Sequence, residues 1–174
     1  MLVLIRHTAC AVEAGICYGR LDLPLAAGAS EDIARTLTNT PGLEFVFTSP
    51  AQRCRQLAEA LMARDGCSGR ALEALQELDF GDWEGRSWSA IHRVESDAWA
   101  ADPWNQAPPN GETEMQLWHR VGQAAKEIRA HPGRCVGVVA HAGPLRLLRC
   151  LLLGLPLSER WAWTSTLGGV ELIP

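Results

Sequence analysis

The chain has 174 residues, 47% of them hydrophobic, and its 16 lysines and arginines against 20 aspartates and glutamates give a formal net charge of -4. That length supports one sizeable core and is short for two, so a single domain over residues 1–174 is expected. The acidic balance argues against a nonspecific nucleic-acid or anionic-membrane surface, although a local basic pocket remains compatible with it.

Six cysteines, at 10, 17, 54, 67, 135 and 150, form no Cys-x-x-Cys pair and lie among apolar residues. Free, mostly buried thiols are expected, not a zinc knuckle or a disulfide scaffold. The opening apolar run is too short to span a bilayer, and no signal-peptide core follows it. The richest later stretch, Leu145 to Leu157, carries Arg146 and Arg149 and reads as a buried helix. A cytoplasmic protein without a membrane partner is the expectation.

Met1 to Ile5 is an uninterrupted apolar run ending in Arg6-His7-Thr8. It reads as a strand covered on both faces, with Arg6, His7 and Thr8 emerging at its carboxyl end, where open α/β sheets bind ligands. Thr8 to Ala27 is a shaped loop with Gly15, Tyr18, Gly19, Arg20 and Pro24. In it, Tyr18 is a candidate ligand wall and Arg20 a candidate anion contact. Residues 29–38 read as a helix with Ile33 and Leu37 on one face, and residues 43–47 as a second strand.

Ser49, Pro50 and Gln52 then occupy the positions of a serine N-cap, a proline at N1 and a glutamine at N3, a capping-box pattern for the next helix. Arg53 and Arg55 fall in that helix's first turns, where a cation opposes the helix dipole unless a bound anion reverses the balance. One of the two is expected to face solvent. Glu73, Glu77, Asp79, Asp82 and Glu84 form a carboxylate-rich segment, most of it expected to be solvated. Five of seven tryptophans, including Trp83, Trp88 and Trp99, lie between 83 and 118. Four of them fall in a helical excursion at about 82–112 that reads as core or as the wall of a pocket.

Thr113 and Gln116 give a second capping-box pattern, opening a helix to about Ala130, with Trp118, Val121, Ala125 and Ile128 inward. His119 lies near that face without a chemical partner and is read as structural. Cys135 to Ala140 is a third buried strand and, like the first, ends in a histidine, His141; Pro144 helps to open the helix after it. Residues 168–173 suggest a last strand near a sheet edge.

Three strand ends thus deliver Arg6 and His7, Ser49 to Arg53, and His141 to one face. Two histidines and two arginines fit a tetrahedral dianion: guanidinium forks bind phosphate oxygens, and a neutral imidazole can attack phosphorus. A carboxylic acid is still needed to protonate an alkoxide leaving group, and Glu77 and its acidic neighbours are the candidates. No metal or other cofactor is required, because protein groups supply the donors and the charge. A zinc hydrolase lacks a third ligand, whereas a phosphate-binding module without catalysis, a mutase and a protein-phosphohistidine phosphatase stay open.

Leu4-Ile-Arg-His-Thr8, Thr48-Ser-Pro with Arg53, the Glu77 to Gly85 segment, Gly111-Glu112 and Val139-Ala-His-Ala-Gly143 together resemble the histidine phosphatase superfamily. Within it, Arg6-His7-Thr8, the Gly15 to Gly19 turn and Asp22-Leu-Pro-Leu25 are similar to the alpha-ribazole phosphatase branch of cobalamin synthesis. The resemblance implies an α/β, phosphoglycerate-mutase-like three-layer sandwich, with helices on both faces of a mostly parallel sheet. It also implies a phosphomonoesterase acting on a small-molecule ester. His7 matches the nucleophile, Arg6 and Arg53 the phosphate-binding arginines, His141 the second histidine and Glu77 the acid. Thr8, Tyr18, Arg20 and Trp83 are the further candidates for substrate contact, Glu112 is expected to order the site, and a homodimer is compatible with the sequence.

Overall fold

The computed structural model describes all of residues 1–174. Five strands form one sheet: β1 (Leu2–Arg6), β2 (Phe45–Thr48), β3 (Ser68–Ala71), β4 (Val136–Ala140) and β5 (Val170–Ile173), in the order β3-β2-β4-β1-β5. All neighbouring pairs are parallel except β1 with β5, the antiparallel edge. The expected mostly parallel α/β architecture is therefore present, with its last strand at the edge.

Alternation along the strands separates two apolar faces. Val3 and Ile5 of β1 pack with Leu57 and Leu61 of helix α2 (Gln52–Asp65), and Ile33 and Leu37 of α1 (Ala29–Asn39) cover the same side. Leu4 points the other way, to Leu117 and Val121 of α4 (Glu114–Ala130) and Leu145 and Leu148 of α5 (Ala142–Leu153). Val138 and Val139 of β4 divide between the two faces in the same manner. A sheet buried on both sides is the reason β1 and β4 are apolar at nearly every position.

Several local expectations change. The capping box at Thr113 and Gln116 is formed, but the one at Ser49 is not. Helix α2 begins at Gln52, whose backbone N–H is taken by Asp22 Oδ1 at 2.7 Å. An acid from a distant loop thus caps this helix, and Ser49 Oγ takes only the longer contact from the Ala51 N–H, at 3.4 Å, which leaves it able to bond elsewhere as well. The second strand starts at Phe45, two residues later than expected. Strand β3 carries no sequence signal, because all four of its residues are exposed. A nine-residue helix, α3 (Arg93–Ala101), lies in the Trp-rich excursion and has no buried residue, hence no apolar period. His119 is exposed on α4, not structural in the core.

All six cysteines are free, four of them buried. No helix is long and apolar enough to cross a membrane.

Candidate active site

Parallel pairing puts three strand ends on one edge. Arg6 lies opposite Ala140 and Thr48 opposite Val139, so His7, His141 and Ser49 leave the sheet side by side. The His7 N–H donates to the Ala140 carbonyl at 3.0 Å, and the Ser49 N–H to the Val139 carbonyl at 2.8 Å. The two imidazole rings stand 5.0 Å apart, edge to face.

The His7 ring is 2% exposed. Its Nδ1 is 2.7 Å from the Thr8 carbonyl oxygen, which can only accept, so Nδ1 carries the proton and Nε2 the lone pair. Burial lowers the His7 pKa to about 3; the Thr8 hydrogen bond opposes the shift, and the charges of Arg53 and Arg6 add to it. A neutral ring with a fixed tautomer is the form able to act as a nucleophile.

Arg53 is fully buried. Its Nε donates to His141 Nδ1 at 3.2 Å, Nη1 to the Leu21 carbonyl at 2.8 Å and Nη2 to the Gly19 carbonyl at 2.7 Å. None of these partners is a carboxylate, so the charge is uncompensated and two of the five N–H bonds are uncommitted. Arg55, by contrast, is exposed, as expected for one of the pair. His141 Nε2 lies 2.8 Å from Ser49 Oγ. Its pKa is also lowered, by burial first and then by Arg53, His7, Arg120 and Arg6.

Arg6 donates from Nη1 to the Ser165 carbonyl at 2.6 Å, while its buried Nε has no partner. Arg6, His7, Arg53, His141, Tyr18 and Glu77 line one cavity of about 220 Å³. Tyr18 sits under the Arg53 guanidinium, 5.5 Å from its ring centroid. Buried imidazoles and uncompensated guanidinium groups around a small cavity suit a compact dianion such as a phosphoryl group.

Glu77 enters from the segment that follows β3. Oε2 accepts from the Gly143 N–H at 3.2 Å, in the first turn of α5, and Oε1 from the Leu78 N–H at 2.9 Å. A β-carbon on residue 143 would lie 2.2 Å from Glu77 Oε1, so glycine is needed for this approach. Glu77 also lines two further cavities, one of which reaches His141, so it is common to all three.

Arg120, which the sequence alone did not single out, holds this segment. It donates to the carbonyls of Ala74 and Gln76 from Nη1 and of Glu77 from Nη2, and meets Glu112 at 2.7 Å and 2.8 Å. Glu112 also accepts from the Asp79 N–H at 3.3 Å, which is the ordering role expected of it. An arginine on the polar side of a helix gives no sequence signal until Glu112 is paired with it. Nor is the acidic segment mostly solvated: Glu84 accepts from the backbone N–H groups of Arg20, Leu21 and Phe80, tying the first loop to this one.

The remaining candidates separate. Thr8 is buried beneath the site, and its hydroxyl has no partner. Arg20 lines an adjoining cavity, but its charge is taken by Asp79 at 3.3 Å and Glu112 at 3.5 Å. Trp83 is 1% exposed in a cluster with Cys17 and Ile91, and the tryptophan that lines the phosphate-sized cavity is Trp88. The Trp-rich segment is thus core at Trp83 and pocket wall at Trp88 and Trp99. No group of three or more His, Cys, Asp or Glu side chains is arranged to hold a metal.

Comparison with known proteins bears on this arrangement. The chain is 28% identical over 168 residues to the adenosylcobalamin/alpha-ribazole phosphatase of Salmonella typhimurium, covering 92% of this chain and 83% of that one. It is 25% identical over 170 residues to phosphoserine phosphatase 1 of Hydrogenobacter thermophilus, covering 93% and 80%. The alpha-ribazole phosphatase structure from Shigella flexneri superposes with a TM-score of 0.87 at 26% identity, covering 97% of this chain and 87% of that one. The profile of the histidine phosphatase superfamily (branch 1) matches residues 2–173. Paired histidines on adjacent parallel strands, with uncompensated arginines between them, agree with that match: the chain belongs to the histidine phosphatase superfamily, branch 1, and is a hydrolase of the histidine-phosphatase type.

Proposed function

We propose that the protein is a metal-independent phosphomonoesterase that works through a phosphohistidine on His7. The observation that carries this reading is the His7 ring itself, neutral, with Nδ1 committed to the Thr8 carbonyl and Nε2 free beside two arginines. Nε2 attacks phosphorus in line while the P–O bond to the leaving group breaks, and Glu77 gives its proton to the departing oxygen. Arg6 and Arg53 hold the equatorial oxygens as charge builds on them, and His141 joins them by turning its one N–H, on Nε2, from Ser49 Oγ to the phosphoryl group. Water then attacks phosphohistidine, its proton passes to Glu77, the N–P bond breaks and orthophosphate leaves.

Alpha-ribazole 5'-phosphate, or the corresponding adenosylcobalamin 5'-phosphate, is the proposed substrate. Support comes from the similarity to alpha-ribazole phosphatases and from the aromatic walls that Tyr18 and Trp88 give the cavity. The test has two parts. Labelled substrate should leave an acid-labile phosphoryl group on the wild-type chain, and His7→Ala should abolish both that label and phosphate release; undiminished release by folded His7→Ala would refute the nucleophile. kcat/KM compared across alpha-ribazole 5'-phosphate, 3-phosphoglycerate, sugar phosphates and a phosphohistidine protein then tests the substrate, which a clear preference for any of the last three would sink.

A further inference from the structure

A second cavity, of about 240 Å³, opens on the far side of Glu77 and is walled mainly by apolar groups, among them Leu78, Phe80, Trp99, Leu117 and Trp161. Two donors in this lining lack partners: Arg146 Nε and Trp99 Nε1 are both buried without a hydrogen bond. Arg146 also has no ion pair, because Glu114, an acid of the same lining, is bound by Arg160 from Nε and Nη2, each at 2.9 Å. The Arg146 guanidinium lies over the Trp161 ring, 4.9 Å from its centroid, a cation–π contact within the same lining. An unmatched buried donor is costly, and one on the lining of a cavity can be matched by an acceptor that enters it.

We infer that this cavity receives the leaving group, and that Arg146, with the Trp99 indole N–H, is its specificity-determining contact, donating to hydroxyl or carboxylate oxygens of the departing molecule. The inference rests on the phosphomonoesterase reading, since Glu77 is the group that joins the cavity to His7. An ester with an apolar body and oxygen substituents fits both parts of the lining. Ribose hydroxyls and an amino-acid carboxylate present the same acceptor chemistry to a guanidinium fork.

The test compares kcat/KM for alpha-ribazole 5'-phosphate, O-phospho-L-serine and phenyl phosphate, whose leaving group has no oxygen beyond the ester atom. In Arg146→Met, the ratio for at least one of the first two relative to phenyl phosphate should fall at least tenfold, chiefly through KM. A fall confined to alpha-ribazole phosphate identifies hydroxyls as the acceptor, and one confined to phosphoserine identifies a carboxylate. Trp99→Phe, which removes the N–H donor together with part of the ring, should lower the same ratio at least threefold while phenyl phosphate, the internal reference, carries any loss from packing, so the inference does not depend on Arg146→Met folding well. Ratios unchanged within twofold in both folded variants would overturn it. Failure of the wild-type chain to cleave any of the three or to form phosphohistidine would instead remove the phosphatase reading beneath it.

Discussion

Arg53 donates from Nε to Nδ1 of His141 at 3.2 Å, and this contact decides the tautomer of the second histidine. Arginine has no acceptor, so Nδ1 must carry the lone pair and the proton sits on Nε2, directed at Ser49 Oγ 2.8 Å away. Ser49→Ala should therefore strand a buried N–H, costing about 1–3 kcal/mol of stability in urea unfolding. It should also lower kcat, and Ser49→Thr, which restores the hydroxyl, should recover most of both. Unchanged unfolding and turnover in Ser49→Ala would show that the hydroxyl does not hold His141.

Gly143 and Glu77 give a prediction that separates position from stability. A methyl group at 143 meets Glu77 Oε1 at 2.2 Å, and the carboxylate, as the end of a flexible side chain, can yield. Gly143→Ala should fold with a Tm close to wild type while displacing the acid. Turnover of an alkyl phosphate should then fall by a factor on the order of 10²–10⁴, as should that of Glu77→Gln. p-Nitrophenyl phosphate, whose leaving group departs without a proton, should lose far less. Equal losses on both substrates would mean that Glu77 does not act as the acid.

The neutral histidines should shape stability against pH. His7 has a pKa of about 3 when folded against 6.5 for an ordinary histidine. Between those values the unfolded chain binds a proton that the folded chain refuses, so stability rises with pH through the window and is lost as pH falls toward 3. His141, lowered by burial and by Arg53, acts in the same direction. Urea unfolding followed from about pH 4 to about pH 6.5 should show the free energy climbing by up to about 1.4 kcal/mol per pH unit for each histidine. In His7→Asn the slope should be reduced by one histidine's share; an identical slope would indicate that His7 is protonated in the folded chain.

Arg120 and Glu112 should behave as a buried ion pair with a structural task. Their side chains are 18% and 10% exposed, and Arg120 also serves three carbonyls of the segment that carries Glu77. Arg120→Met leaves Glu112 without that partner and should cost about 3–5 kcal/mol in denaturant unfolding. Arg120→Lys should rescue little of it, because one ammonium cannot span the carboxylate and the carbonyls together. Near-wild-type stability in Arg120→Met would place the support of Glu77 elsewhere.

Much of this was legible in the sequence because it depends on local pattern. Apolar runs ending in His7 and His141 mark strands buried on both faces, and Thr113 with Gln116 marks a helix start, since each is a relation among residues close in the chain. The Ser49 position shows where that reasoning stops. Its local pattern announces a cap, yet Asp22, thirty residues earlier, supplies the cap and frees the hydroxyl for His141. Strand β3 and helix α3 were silent for a different reason: neither has a fully buried residue, and the single partly buried tryptophan of α3, Trp99, does not make a period.

The sequence by itself determined the chemistry available at the first strand end, an arginine and a histidine where a parallel sheet opens to a ligand. Only the tertiary structure decided which nitrogen of His141 carries the proton, that Arg53 is the buried arginine without a counter-charge, and that Arg120 and Glu112 hold Glu77 against α5. The physical reason is range. Side-chain type and periodicity are properties of neighbours along the chain, whereas the His141 tautomer and the unpaired Arg53 charge are set by groups far apart in it, Arg53 and His141 being 88 residues from each other.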